Sequence, residues 1–123
     1  MARAKIGHHI QKLHDRVVTI GNIIEDFDKS IGYDPKAFRT YYYKGIVQSI
    51  SKNYKDAVES FTKSLELNDF QAHTHYRRAL CYYELSDYEN SMTDMNAALM
   101  LGINEDEIQS LREKLVKKFD MSM

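Results

Sequence analysis

The feature that most constrains this chain is a shift of 34 residues that lays one stretch onto another. Tyr41-x-x-x-Gly45, Tyr54, Ala57, Phe61, Ser64 and Leu65 become His75-x-x-x-Ala79, Tyr88, Ser91, Met95, Ala98 and Leu99. Small residues fall on small and large on large, with His75 as the exception. Shifting backwards, Phe61, Lys63, Ser64 and Leu65 map to Phe27, Lys29, Ser30 and Ile31. Three units follow, over 4–37, 38–71 and 72–105, the first degenerate because Gln11 stands where Gly45 and Ala79 stand in the others. A fixed period of this length signals an array of stacked units, none of which buries its apolar face alone.

Local chemistry divides each unit into two helices. Thr19, Asn53 and Asp87 recur at the same position and are good helix N-caps. Ser86-x-x-Glu89 offers an alternative capping box one residue earlier. Pro35 sits just ahead of a helix that should start near Lys36. These signals predict helices over about 3–16, 20–32, 37–50, 54–67, 71–84 and 88–101. Gly102 can close the last of these in a left-handed conformation. Asn104-x-x-Glu107, another capping-box pattern, then opens a seventh helix. Its Ile108, Leu111, Leu115 and Phe119 form one apolar stripe, with Glu113, Lys114, Lys117 and Lys118 on other faces. The small residues Gly45, Ala57, Ser64, Ala79, Ser91 and Ala98 let paired helices approach closely.

The pattern resembles the tetratricopeptide repeat, a helix–turn–helix unit with small residues at repeat positions 8, 20 and 27 and bulky ones at 4, 11, 17 and 24. Tyr54-Lys55-Asp56-Ala57-Val58-Glu59-Ser60-Phe61 and Arg78-Ala79-Leu80-Cys81-Tyr82-Tyr83-Glu84-Leu85 carry the likeness best. Position 7, usually Leu, is Lys44 and Arg78 here, and position 4 of the third unit is His75. The resemblance implies an all-α, right-handed superhelix of three repeats, closed by a C-terminal solvating helix over 105–119. It also implies a protein-binding scaffold or adaptor rather than an enzyme.

Composition narrows the alternatives. Seventeen Lys and Arg face eighteen Asp and Glu in 123 residues, a balance that argues against nucleic-acid binding. No run reaches the length of a membrane span. Residues 1–14 lack acids and carry Arg3, Lys5 and Lys12, as a mitochondrial presequence would, but are poor in Ser and Arg. The single cysteine, Cys81, cannot form an intrachain disulfide, which fits a reducing, cytoplasmic setting. It reads as a small buried thiol. No Gly-rich phosphate loop, Gly-x-Ser-x-Gly or Cys-x-x-Cys is present, and no cofactor is expected. His8, His9, His14, His73 and His75 lack the i, i+4 spacing of a helical metal pair. His75 reads instead as a buried, hydrogen-bonded histidine.

The resemblance places a concave groove on the first helix of each repeat. Its positions fall on Lys5, His8, His9, Lys12, Asp15 and Arg16 in the first unit. In the second they are Arg39, Tyr42, Tyr43, Ile46, Ser49 and Ile50, and in the third His73, Tyr76, Arg77, Leu80, Tyr83 and Glu84. Five cations oppose two anions. Helical geometry groups Lys5, His8, His9, Lys12 and Arg16 in one arc of about 100°, beside an apolar seam of Ile6, Ile10, Leu13 and Val17. The groove reading is a site for an acidic, partly aromatic or aliphatic peptide segment or C-terminus of another protein. The alternative is a solvated basic face with tyrosines used for packing.

Two family functions are also weighed. Co-chaperone clamps for a terminal carboxylate would need matching residues at His8, Lys12, Tyr43, His73 and Arg77, and only Arg77 matches in type. Three-repeat secretion chaperones bind cargo peptides on the same surface but usually carry a longer N-terminal arm. Finally, exposed Met92, Met121, Met123 and Phe70 would allow a homodimer, and an excised segment of a longer array would look the same.

Overall fold

The computed structural model describes residues 21–121. The predicted helix over 3–16, the Thr19 cap and the seam of Ile6, Ile10, Leu13 and Val17 lie outside the described residues. The chain divides into two compact units after Pro35. In the first, residues 21–33 are helical (α1), ending with a hydrogen bond of 2.9 Å from Asp34 N to Ser30 O. Ile23, Ile24, Phe27 and Ile31 are its partly buried residues, a spacing of three and four.

The second unit contains α2 (Phe38–Ile50), α3 (Tyr54–Leu67), α4 (Ala72–Glu84), α5 (Tyr88–Met100) and α6 (Glu105–Met121). No strand occurs among the described residues. α2 packs on α3, α4 on both α3 and α5, and α6 on α5 and α4. The fold is therefore all-α, built of two consecutive helical hairpins and a closing helix.

The turns that end α2, α4 and α5 are copies of one another. In each, one amide bonds five residues back and the preceding amide three residues back. These bonds are Asn53 N to Gln48 O and Lys52 N to Ser49 O, then Asp87 N to Tyr82 O and Ser86 N to Tyr83 O. In the third copy they are Ile103 N to Ala98 O and Gly102 N to Leu99 O. This is the Schellman arrangement, which needs a left-handed residue at its corner. Gly102, expected there, has φ +95°, while Lys52 and Ser86 occupy the same corner at φ +65° and +63°. With Ser86 at the corner, the alternative capping box is not formed. Asp87 caps α5 instead, its side chain accepting from Asn90 N at 3.3 Å. Asn53 precedes α3 without a side-chain cap bond. At α6, Asn104 Oδ1 accepts from Asp106 N at 2.9 Å.

The small residues sit where helices meet. Ala57, Ser64, Ala79, Ser91 and Ala98 are fully buried. Two of them also tie helices together: Ser64 Oγ donates to Phe38 O and Ser91 Oγ to Ala79 O, each at 2.7 Å. The tightest approach is at Gly45, where an added Cβ would lie 2.6 Å from the fully buried Phe61 ring. One core patch joins Ala57, Phe61 and Cys81. Another joins Ala79, Met95 and Ala98 to Ile103, Ile108, Leu111 and Leu115, with Phe119 alongside. The α6 stripe thus covers the open end of the second hairpin. Met92, expected on an exposed surface, is instead half-buried against this core. Met123 and the Met121 side chain lie outside the described residues.

The two departures from the repeat pattern in the third unit have one cause. Asp94, almost fully buried, accepts from His75 Nδ1 at 3.0 Å and from Arg78 Nε and Nη2, each at 2.7 Å. Arg78 Nη1 reaches on to Thr62 Oγ1 at 3.0 Å, linking α3, α4 and α5. Burial opposes the Arg78 charge, but the Asp94 carboxylate outweighs it and holds the guanidinium above its ordinary range. His75 is hydrogen-bonded as the sequence predicts, but it is partly rather than fully buried.

Three outcomes follow from this packing. Gly45→Ala should destabilise the fold by about 1–3 kcal/mol in urea denaturation, although alanine is the better helix former, because the Phe61 ring has no room to retreat. Ser86→Gly should raise stability by roughly 1 kcal/mol by relieving the left-handed strain, read as an upward shift in Tm. Burial, with help from Glu84 and against Arg77, pushes the Cys81 thiol up to about 11. Its contribution to stability is then fully present below the unfolded value of about 8.5 and is lost as pH rises through about 11. Over that window the native protein should lose stability faster than Cys81→Ala, compared by urea titrations at stepped pH.

Candidate functional site

Eight of the predicted groove residues on α2 and α4 line two hollows, while Ile46, Ile50, Tyr76 and Tyr83 line neither. Arg39, Tyr42 and Tyr43 from α2 and His73 from α4 line the first, an open hollow of about 300 Å³ that Phe38 and Phe70 also line. Arg77, Leu80 and Glu84 from α4 line the second, about 230 Å³, with Ser49 and Tyr54 opposite and Cys81 behind. A lining residue of one meets a lining residue of the other. Arg77 Nε donates to Tyr42 Oη at 3.0 Å, and the guanidinium lies 5.9 Å from the Tyr42 ring centroid. The phenol and the guanidinium fix one another, so Arg77 is presented at a defined place along the face.

The tyrosines divide between packing and exposure. Tyr42 and Ile46 are half-buried against the Ala57–Phe61–Cys81 core, and Tyr76, Leu80 and Tyr83 against the core under α6. Lys114 of α6 lies 5.7 Å from the Tyr83 ring centroid. Tyr43 is 52% exposed and meets Tyr42 edge-on at 5.3 Å. Lys5, His8, His9, Lys12 and Arg16 lie outside the described residues. Of the predicted groove cations, Arg39 and Arg77 are described. Two acids share the face with them, Glu84 and Glu107, whose Oε2 lies 3.0 Å from His73 Nε2.

Phe38, Phe70 and Glu107 were not among the predicted groove residues. Phe70, 85% exposed, stands on the turn between α3 and α4. Its amide donates to Asn68 Oδ1 at 3.0 Å. The Gln71 side chain braces the same turn, donating to Ser64 O and Asn68 O and accepting from Thr74 Oγ1 at 2.9 Å. An aromatic residue in a polar connecting turn was the available signal for Phe70. Nothing local points to Glu107, which reaches the face from the closing helix. His73 and His75 engage different acids, Glu107 and Asp94. Among the described residues no cluster of His, Cys, Asp and Glu could hold a metal ion, and no helix is long and apolar enough to cross a membrane.

Comparison with known proteins bears on this architecture. Residues 38–70 and 72–101 match the tetratricopeptide repeat model. Human sperm-associated antigen 1 is 34% identical over 68 residues, a match spanning 55% of this chain and 7% of that protein. Among solved structures, the TPR2B domain of yeast Sti1, determined as a pHsp70 complex, superposes with a TM-score of 0.68. That match covers 91% of both chains at 17% identity. The secretion chaperone SycD of Yersinia enterocolitica, in complex with a peptide of the translocator YopD, gives 0.68 over 86% of this chain and 81% of that one, at 13% identity. With the helical hairpins of the second unit accounted for by matched repeats over half its length, the chain belongs to the tetratricopeptide repeat family.

Proposed function

We propose that the α2–α4 face binds a segment of another protein, so that the chain serves as a non-enzymatic scaffold or adaptor. The carrying observation is the pair of hollows whose lining residues Arg77 and Tyr42 are hydrogen-bonded to each other. Acidic side chains of the ligand meet Arg39 and Arg77, where a guanidinium can engage a carboxylate with two hydrogen bonds. Aromatic or aliphatic side chains pack on Tyr43, Phe70 and Leu80, which add contact area. Two structural neighbours support the reading through what they were solved with, pHsp70 in one case and a YopD peptide in the other. A lone buried cysteine suits a reducing, cytoplasmic setting.

A second reading has its own observation. Phe70 and Met100 are 85% and 88% exposed, large apolar groups that pairing of two copies would cover. Sedimentation across a concentration series separates the two, since a dimer that forms as concentration rises favours pairing.

The binding reading predicts micromolar affinity for a short peptide alternating glutamate and tyrosine, on the order of −7 to −9 kcal/mol. Arg77→Glu should weaken it by about 1–3 kcal/mol, and Arg39→Glu/Arg77→Glu by more. Fluorescence anisotropy reads both, with circular dichroism confirming the fold. Equal affinity in the folded double variant removes this face from the binding site.

A further inference from the structure

Glu107 is placed where local helix chemistry does not need it. In a capping box the acid three residues after the cap reaches back to the cap's own amide. Here Asn104 caps the helix through the amide two residues on, accepting from Asp106 N. The Glu107 carboxylate turns instead toward α4 and meets His73 Nε2 at 3.0 Å. His73 is a lining residue of the first hollow, facing the same space as Arg39. A carboxylate from outside the repeats therefore already sits on one of the polar groups that the hollow offers an acid.

We infer that Glu107 is a specificity-determining residue of this face: an internal carboxylate that an acidic ligand must displace from His73. The inference rests on the acidic-peptide reading above. Both side chains are about half exposed, at 59% for His73 and 48% for Glu107, so solvent competes and the contact is readily exchanged. That exposure is what a selectivity element requires, since a deeply buried pair would hold too firmly to yield to a ligand. The consequence is a threshold. Ligands with one weakly placed acid do not repay the lost Glu107 contact, whereas ligands that engage Arg39 and His73 together do. The closing helix, which also covers the core, thereby takes part in choosing the ligand.

The test uses the full chain and two labelled probes, the glutamate–tyrosine peptide and its glutamine–tyrosine counterpart, at low salt. Glu107→Gln should tighten the acidic probe by about two- to fivefold and leave the neutral probe unchanged. The gain should vanish in His73→Ala/Glu107→Gln compared with His73→Ala. Equal affinity of Glu107→Gln and wild type for the acidic probe, or an equal gain for both probes, overturns the inference. So does a gain that persists without His73. Arg39→Glu/Arg77→Glu is titrated in parallel to separate the two levels. If it loses the acidic probe while Glu107→Gln changes nothing, only the role of Glu107 fails. If it binds like wild type, or if no protein binds, the face itself is not an acidic-peptide site and both fail.

Discussion

Phe61 can lie against α2 only because residue 45 has no side chain. The ring sits where the first atom of any other residue would project, and it is fully buried there. This contact sets the distance between α2 and α3. That distance lets Ser64 reach the Phe38 carbonyl and Ser60 reach Gln48 Oε1 at 2.6 Å. The same logic holds α4 to α5, with Ala79 in place of glycine and Ser91 bonding its carbonyl. Each hairpin is thus a pair of helices drawn together by missing atoms and then fastened by short hydroxyl bonds. The face formed by α2 and α4 inherits its spacing from these pairs.

The fold was legible because packing repeats. A residue that must be small at one helix contact must be small at the next, and the 34-residue shift exposes that requirement directly. The apolar stripe of α6 was readable for a similar reason, as one surface covered by one surface. What escaped was conformational. Only one of three equivalent turn corners carries glycine, so the left-handed backbone at Lys52 and Ser86 had no sequence signal. Ser86 read as a cap because serine at a helix start usually is one.

The face was harder to read than the fold. Repeat positions indicate which residues point toward it but not how much of each is taken up by packing. Tyr42, Tyr76 and Tyr83 share their surface with the core, while Tyr43 remains open. Charge has a similar limit. The repeat positions set Arg39 and Arg77 beside Glu84, and Glu107 arrives from the closing helix as a further acid on the described face. A pattern that describes one unit at a time cannot register a group supplied from beyond the units.

The Asp94 cluster has a consequence for how such a chain can be rearranged. In the second unit the equivalent positions hold Lys44 and Ser60 in place of Arg78 and Asp94. The third unit also looks outward, since Arg78 takes Thr62 of its predecessor as a partner. The two units are therefore not interchangeable beads. Exchange them, and the arginine is separated from the threonine that receives its third bond. The third unit carries an address for its predecessor, written in an arginine held by one buried carboxylate, and the order of these two units is part of what folds.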